Sequence, residues 1–205
     1  EDLKCLPAPA AVLEKSYGDV SFLARLLIDK FLYHLPLYRQ HQRLTESGVK
    51  LSRQTLTNLA QRALMLLEPI YYAQVSSILM SSVLLMDETP VKAGRLEPGK
   101  LHQGYFWPIL GDQDEVAFPF ASSRRHDEVG KILGTYCKTL VTDGYEAYDR
   151  FTEKRAGLVH ALCWSHARRQ FLKAEDLAPA LVKEALERIG GLYAVEERIR
   201  KKKLP

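Results

Sequence analysis

With 205 residues, 46% of them apolar, the chain can form one large domain or one domain with an appendage, and wholesale disorder is excluded. The net charge of +4 is unevenly placed: residues 1–150 carry 17 Lys/Arg against 18 Asp/Glu, and residues 151–205 carry 12 against 7. A basic end such as "RIRKKKLP" suits contact with nucleic acid or a solvated helix tail, and charge alone does not separate the two.

Residues 1–12, rich in Pro and Ala, read as a linker. In "DVSFLARLLIDKFLYHLPLYRQ", Phe22, Leu23, Leu26, Leu27 and Phe31 recur at helical spacing behind a cap at Asp19. Pro36 opens a second helix through about Thr45, and "ESGVKL" supplies a short turn around Gly48. Ser52 caps a third helix, "SRQTLTNLAQRALMLLEPI", whose buried stripe is Leu56, Leu59, Ala60, Ala63 and Leu67. Three helices with a tight Gly-containing turn before the last make residues 13–78 a helix-turn-helix-like region. Arg53, Gln54, Thr57 and Asn58 lie opposite the apolar stripe. Arg, Gln and Asn pair with base edges in the major groove of DNA, although all four residues are also ordinary surface types.

From about residue 80 the period changes. "SSVLLMDE", "HQGYFWPILG" and "EVAFPFAS" read as three strands joined by short turns, hence antiparallel. The Thr89-Pro90 pair is expected to break the first of them. "HDEVGKILGTY" reads as a helix from near Asp127, "KTLVTDGYEAY" as a strand ending at Asp143 and then a short helix, and "GLVHALCW" as a further strand. The last two strands alternate with helices and should pair in parallel. "SHARRQFLKAEDL" and "APALVKEALERIGGLYAVEERIRKKK" complete the pattern as helices. The expectation is an α/β fold with a mixed five-stranded sheet flanked by helices, behind the three-helix unit.

Asp87 and Asp143 stand at equivalent places, each where an apolar strand ends. If their strands are neighbours, both carboxylates leave the sheet at one edge, close enough to share Mg²⁺ or Mn²⁺. The plain alternative is a turn cap at Asp87 and an Asp-Gly turn at Asp143. Glu88 should point to the opposite face from Asp87 and play a supporting part. His166, Arg168 and Arg169 open a helix just after a strand, where they could bind phosphate in a groove beside the metal or form a solvated face. Arg124 and Arg125 in "SSRRHDE" are candidates of the same sort. Cys163 and His166 have C-x-x-H spacing, but no second ligand pair stands nearby, so zinc is not expected. Cys5, Cys137 and Cys163 are odd in number and widely spaced, which points to a reduced, cytosolic chain. No apolar run reaches the ~18 residues of a membrane span, and no secretory leader is visible. Both ends read as cut from something longer.

The ordered blocks "HLPLYRQHQRL…GVKLSRQTL", "DETP", "TDGYEAY", "CWSHARRQF" and "IGGLYAVEERIR" resemble the transposases of the insertion-sequence-sixty-six family, from about residue 5 to 200. The resemblance implies a bacterial DDE transposase with an RNase H-like catalytic core over residues 79–176 and the start of a helical insertion over 177–205. Asp87 and Asp143 would be the first two acids of the triad, holding two Mg²⁺ or Mn²⁺ ions in the complete enzyme. The family's third acid, a Glu, lies in a block resembling "NNxAERAIRP" that this sequence does not contain, and Glu184, Glu187, Glu196 and Glu197 do not match it. The family's Cys-rich amino-terminal segment is also missing. The chain is then a central fragment that binds metal weakly and catalyses little alone. The complete enzyme would cut and join double-stranded DNA at element ends as a homo-oligomer in the bacterial cytoplasm, away from any membrane. Two other readings stay open: a non-catalytic helix-turn-helix DNA-binding module and an inactive remnant. A complete RNase H-like nuclease would need an acid motif after residue 143, which is not seen.

Overall fold

Asp19 begins the helical segment as its sequence position suggests. Its carboxylate accepts from the Phe22 amide at 2.8 Å and from the Ser21 hydroxyl at 2.9 Å, which satisfies donors that a helix start leaves open. The computed structural model describes residues 12–16, 18–97, 100–153 and 155–202. The linker expected over residues 1–12 lies, apart from Val12, outside the described residues. The chain divides into two compact units, 1–73 and 74–205, with the boundary inside a helix.

The first unit is built from α1 (Val20–Phe31), α2 (Leu37–Glu46) and α3 (Arg53–Met65). Leu23 and Leu26 of α1 meet Leu56, Leu59, Ala60 and Ala63 of α3 in one buried cluster. The turn after α2 closes on Gly48 at φ +85°. Gly48 N–H donates to Thr45 O at 3.0 Å and Val49 N–H to Leu44 O at 2.9 Å, the paired bonds of a Schellman cap that a left-handed glycine permits. His41 Nε2 lies 2.7 Å from Leu51 O and fixes the chain just before Ser52, whose hydroxyl caps α3 by accepting from Thr55 N–H. Two buried polar groups set the packing of α1 on α2. Gln40 donates to the carbonyls of Leu26 and Leu35, and buried Asp29 pairs with both Arg25 and Arg43.

One expected helix is in fact two. α3 stops at Met65 and α4 (Glu68–Ile78) starts three residues later, so Leu67 is exposed rather than part of the buried stripe. Pro69 is the physical reason. In a continuous helix it would lack the amide for Met65 O and its ring would clash there, whereas the first turn of a new helix accepts it.

The second unit holds the sheet. β1 (Val83–Met86) pairs antiparallel with β4 (Ile109–Leu110), which pairs antiparallel with β5 (Val116–Ala117). On its other side β1 pairs in parallel with β7 (Thr139–Thr142), and β7 with β8 (Val159–Leu162). The order is β5-β4-β1-β7-β8, the mixed five-stranded sheet expected from the element pattern. Along β1, Leu84 and Met86 are buried while Val83 and Leu85 are exposed, the alternation of a pleated strand. α5 (His126–Leu133) and α6 (Glu146–Thr152) pack together, and α7 (Trp164–Lys173) leads into α8 (Pro179–Lys202). No helix among the described residues is long and apolar enough to cross a membrane.

Each of the three antiparallel segments is split by a pause. Each pauses and resumes in a second, three-stranded sheet of β2 (Thr89–Glu97), β3 (Lys100–Phe106) and β6 (Phe120–Ala121). Thr89-Pro90 therefore opens a strand rather than breaking one, because β2 is an edge strand and tolerates a residue without an amide hydrogen. The pauses fall side by side, at Asp87-Glu88, Trp107-Pro108 and Phe118-Pro119. Asp87 N–H donates to Pro108 O at 3.3 Å and Trp107 N–H to Pro119 O at 2.8 Å, which joins the three breaks into one seam.

The Asp29 pairings should carry measurable stability in the helical unit. Asp29→Ala is expected to cost about 1–3 kcal/mol, since both arginine partners stay partly solvated. Urea denaturation followed by helical circular dichroism checks this, and an unshifted midpoint would show the pairings to be idle.

Candidate metal centre

The register of the central strand pair decides what meets at the sheet edge. Leu85 lies opposite Val141 in the parallel β1–β7 ladder. Two residues further along each strand come Asp87 and Asp143, so both leave the sheet together and on the same side of the pleat. In the β7–β8 ladder Thr142 lies opposite Leu162. The chain then passes through Cys163, whose N–H donates to Thr142 O at 2.8 Å, into the first turn of α7. That turn delivers His166. One ligand atom from each of Asp87, Asp143 and His166 lies within 4.8 Å of the other two.

Each carboxylate is held by the backbone that follows it. Asp87 Oδ1 accepts from Glu88 N–H at 2.8 Å, and Asp143 Oδ1 accepts from Tyr145 N–H at 2.9 Å. The turn alternative read for the two acids is thus visible in their hydrogen bonds, and in each case it uses one oxygen and leaves the second for another partner. His166 Nε2 stands 3.6 Å from Asp87 Oδ2, and His166 Nδ1 is buried without a hydrogen-bond partner. Beside the cluster is a small cavity of about 150 Å³, lined in part by Leu85, Pro108, Val141 and Cys163. Cys163 does not join the ligand cluster.

Glu88 turns the other way, as alternation requires, into a buried brace. Its side chain is 3% exposed. One oxygen accepts from Arg124, with Arg124 Nε at 2.9 Å, and the other accepts from the Tyr148 hydroxyl at 2.8 Å. Arg124 also lies 3.9 Å from the centre of the Tyr145 ring, and its carbonyl accepts from the Tyr145 hydroxyl at 3.1 Å. Burial first, and the neighbouring Glu88 carboxylate second, push the Tyr148 hydroxyl far above its ordinary pKa, so it remains a donor to Glu88. The brace ties the residue after Asp87 to the helix that follows Asp143. Nothing in the sequence marks Tyr145 and Tyr148 for this part, because "GYEAY" signals only a turn and a helix start.

The other sequence candidates separate into groups. Arg168 and Arg169 are exposed on α7, two and three residues beyond His166. Arg125 is exposed and pairs with Asp127 at 3.6 Å. Arg124 is committed to Glu88 and Tyr145 instead of standing free for phosphate. Arg53, Gln54 and Asn58 are exposed on α3 and Thr57 is half-buried, all in the helical unit. Gln54 donates to Asn58 Oδ1 at 2.8 Å, and Arg53 lies 5.3 Å from the centre of the Tyr38 ring. Glu184, Glu196 and Glu197 pair with Arg188, Arg200 and Lys201 on α8, and neither they nor Glu187 join the Asp87 cluster.

Residues 15–204 match the sequence profile of the family described as "Transposase IS66 family", which is the insertion-sequence-sixty-six family. The uncharacterized protein y4jD of Sinorhizobium fredii is 31% identical over 212 residues, which cover 95% of this chain and 41% of that protein. The uncharacterized protein y4hP of the same organism is 26% identical over 223 residues, covering 97% of this chain and 40% of that one. The chain thus spans about two fifths of the length of these curated relatives. No solved structure matches.

The brace predicts a stability effect without any metal. Glu88→Gln is expected to cost about 1–3 kcal/mol, discounted because Arg124 is partly exposed, and Tyr148→Phe about 1 kcal/mol. Thermal denaturation of the two variants reads both, and equal melting temperatures in the wild type and Glu88→Gln would contradict a buried ionic brace.

Proposed function

The chain belongs to the IS66 family of transposases, and on that premise we propose that its second unit is the larger part of a DDE-type catalytic domain with an RNase H-like fold. The strand order supports the fold: three antiparallel strands β5-β4-β1, followed by β7 and β8 parallel to β1. The observation that carries the function is the meeting of Asp87 and Asp143 across the β1–β7 pair.

The donor set fits a divalent cation. Two carboxylates that each keep an oxygen beyond their backbone bond offer hard ligands suited to Mg²⁺ or Mn²⁺. When bound, two such ions activate an attacking oxygen and stabilise the leaving oxygen of a phosphodiester. The chain's own residues hold and orient the DNA. Arg168 and Arg169, exposed on the helix whose first turn carries His166, take phosphate oxygens through their planar guanidinium groups, with Arg125 as a further contact. In the first unit, α1 to α3 act as a helix-turn-helix-like element, and Arg53, Gln54, Thr57 and Asn58 on α3 face double-stranded DNA.

The reaction is hydrolysis of a phosphodiester at the end of a bacterial insertion sequence. The freed 3′-hydroxyl then attacks a target phosphodiester, forming one P–O bond as another breaks. The third acid is assigned to the part of the longer relatives that this chain does not span. The chain alone therefore binds metal weakly and catalyses little, and the complete enzyme works as a homo-oligomer on paired ends. A second reading, a DNA-binding module without catalysis, draws on the exposed polar face of α3. It predicts that Arg53→Ala abolishes DNA binding while substitutions at Asp87 have no consequence in any longer enzyme.

Two measurements test the proposal. In a longer enzyme of the family, Asn at the position aligned with Asp87 or Asp143 is expected to lower end cleavage on the order of 10³-fold or more, with DNA binding kept. Retained cleavage would overturn the assignment. In this chain, the Arg168→Ala, Arg169→Ala double variant is expected to reduce the salt dependence of duplex binding by about two counterions, read as the slope of log K against log salt.

A further inference from the structure

We infer that His166 is a third protein ligand of the cation at Asp87 and Asp143, so that this chain builds a mixed carboxylate–imidazole site from three of its own elements. The inference rests on the proposed metal function and deepens it. His166 was expected only to help position phosphate.

Three observations carry it. The first is convergence, because the residues just past β1 and β7 and the first turn of α7 each contribute one ligand atom to a group no wider than 4.8 Å. The second is spacing. His166 Nε2 is 3.6 Å from Asp87 Oδ2, too far for a hydrogen bond. A cation about 2.1 Å from each ligand atom holds neighbouring ligand atoms roughly 3 to 4 Å apart, and the His166–Asp87 separation falls in that range. The third is the state of the ring itself. Nδ1 is enclosed without a hydrogen-bond partner, and Nε2 makes none of the ordinary hydrogen bonds that would account for the position of the imidazole. Nε2 is the nitrogen turned toward Asp87, and with the ring proton on Nδ1 its lone pair is free to be given to a cation.

The chemistry has a consequence for metal choice. Two carboxylates alone treat Mg²⁺ and Mn²⁺ much alike, whereas an imidazole adds affinity along the series from Mg²⁺ to Mn²⁺ to Co²⁺. The site should therefore favour Co²⁺ and Mn²⁺ over Mg²⁺, with His166 as the source of the preference.

The experiment is metal binding by this chain, with no DNA and no activity readout. Calorimetric titration with Mg²⁺, Mn²⁺ and Co²⁺ is run on the wild type, His166→Ala and Asp87→Asn. The electron spin-echo spectrum of the Mn²⁺ complex is recorded for nitrogen modulation from a bound imidazole, and circular dichroism confirms folding of each variant. The wild type is expected to show nitrogen modulation and the affinity order Co²⁺ > Mn²⁺ > Mg²⁺. His166→Ala is expected to lose the modulation, to weaken Mn²⁺ and Co²⁺ by roughly 10- to 100-fold and to affect Mg²⁺ less. Asp87→Asn is expected to abolish binding of all three. A wild type without nitrogen modulation, or a His166→Ala variant with unchanged Mn²⁺ affinity, overturns the ligand role and leaves the acid pair standing. Unchanged binding in Asp87→Asn sinks the proposed metal function itself. No saturable binding of any cation by the wild type at millimolar concentration also overturns the inference, because three ligands would then not suffice.

Discussion

Everything at the candidate site depends on the parallel pairing of β1 with β7. Leu84 and Leu140 are paired there and both are fully buried, so the ladder cannot slip by one residue without driving its core side chains to the other face. The same register sets Asp87 beside Asp143. Two like charges brought together at a strand edge would normally repel each other. Here each is partly offset by a backbone amide of its own following turn. Burial works against the charge of nearby Arg124, and Glu88 outweighs it, with Tyr145 and last Asp143 adding smaller contributions. Fixed backbone dipoles thus hold one oxygen of each carboxylate in place.

The seam across the three antiparallel strands explains why the acid can be exposed at all. Within a continuous strand Asp87 would sit in a ladder with neighbours on both sides. Pro108 and Pro119 remove amide donors at the same level, so the strands loosen there and re-form as the second sheet. Asp87 falls in the gap, with its side chain 47% exposed, while Glu88 one residue later is buried against Tyr148. A single dipeptide therefore serves two environments: one acid open to a ligand, the other locked into the fold by Arg124. The buried pair also explains why the open acid stays put, since the residue next to it has almost no freedom.

Much of this was legible in the sequence, and the parts that were not share a cause. Local signals worked where a residue acts on its own neighbours: the caps at Asp19 and Ser52, the Gly48 turn, and the strands ending at Asp87 and Asp143. Element order then gave the mixed sheet and the nearness of the two acids. Proline misleads twice. Pro90 suggests a strand break because the edge position of β2 is invisible in the sequence, and Pro69 sits inside a segment that reads as one helix. The brace of Glu88, Arg124, Tyr145 and Tyr148 was missed because it is formed by residues up to 60 apart in sequence. No periodicity records such a contact. His166 was noticed for its helix start and its neighbouring arginines, but its distance to Asp87 exists only in three dimensions.

Charge tells a similar story. The carboxy-terminal surplus of Lys and Arg invites a nucleic-acid reading, yet on α8 Arg188, Arg200 and Lys201 each pair with a Glu one turn earlier. Such exposed pairs add only about 0.3–0.5 kcal/mol each to a helix, but they do neutralise one another's field. Arg168 and Arg169, by contrast, have no acidic partner among the described residues and stand on the helix whose first turn reaches the acid cluster. Arg198 on α8 likewise shows only a bond to the Ala194 carbonyl, so the paired residues neutralise part of the tail and not all of it. For the function proposed above, the position of the charge relative to the carboxylates matters more than its amount.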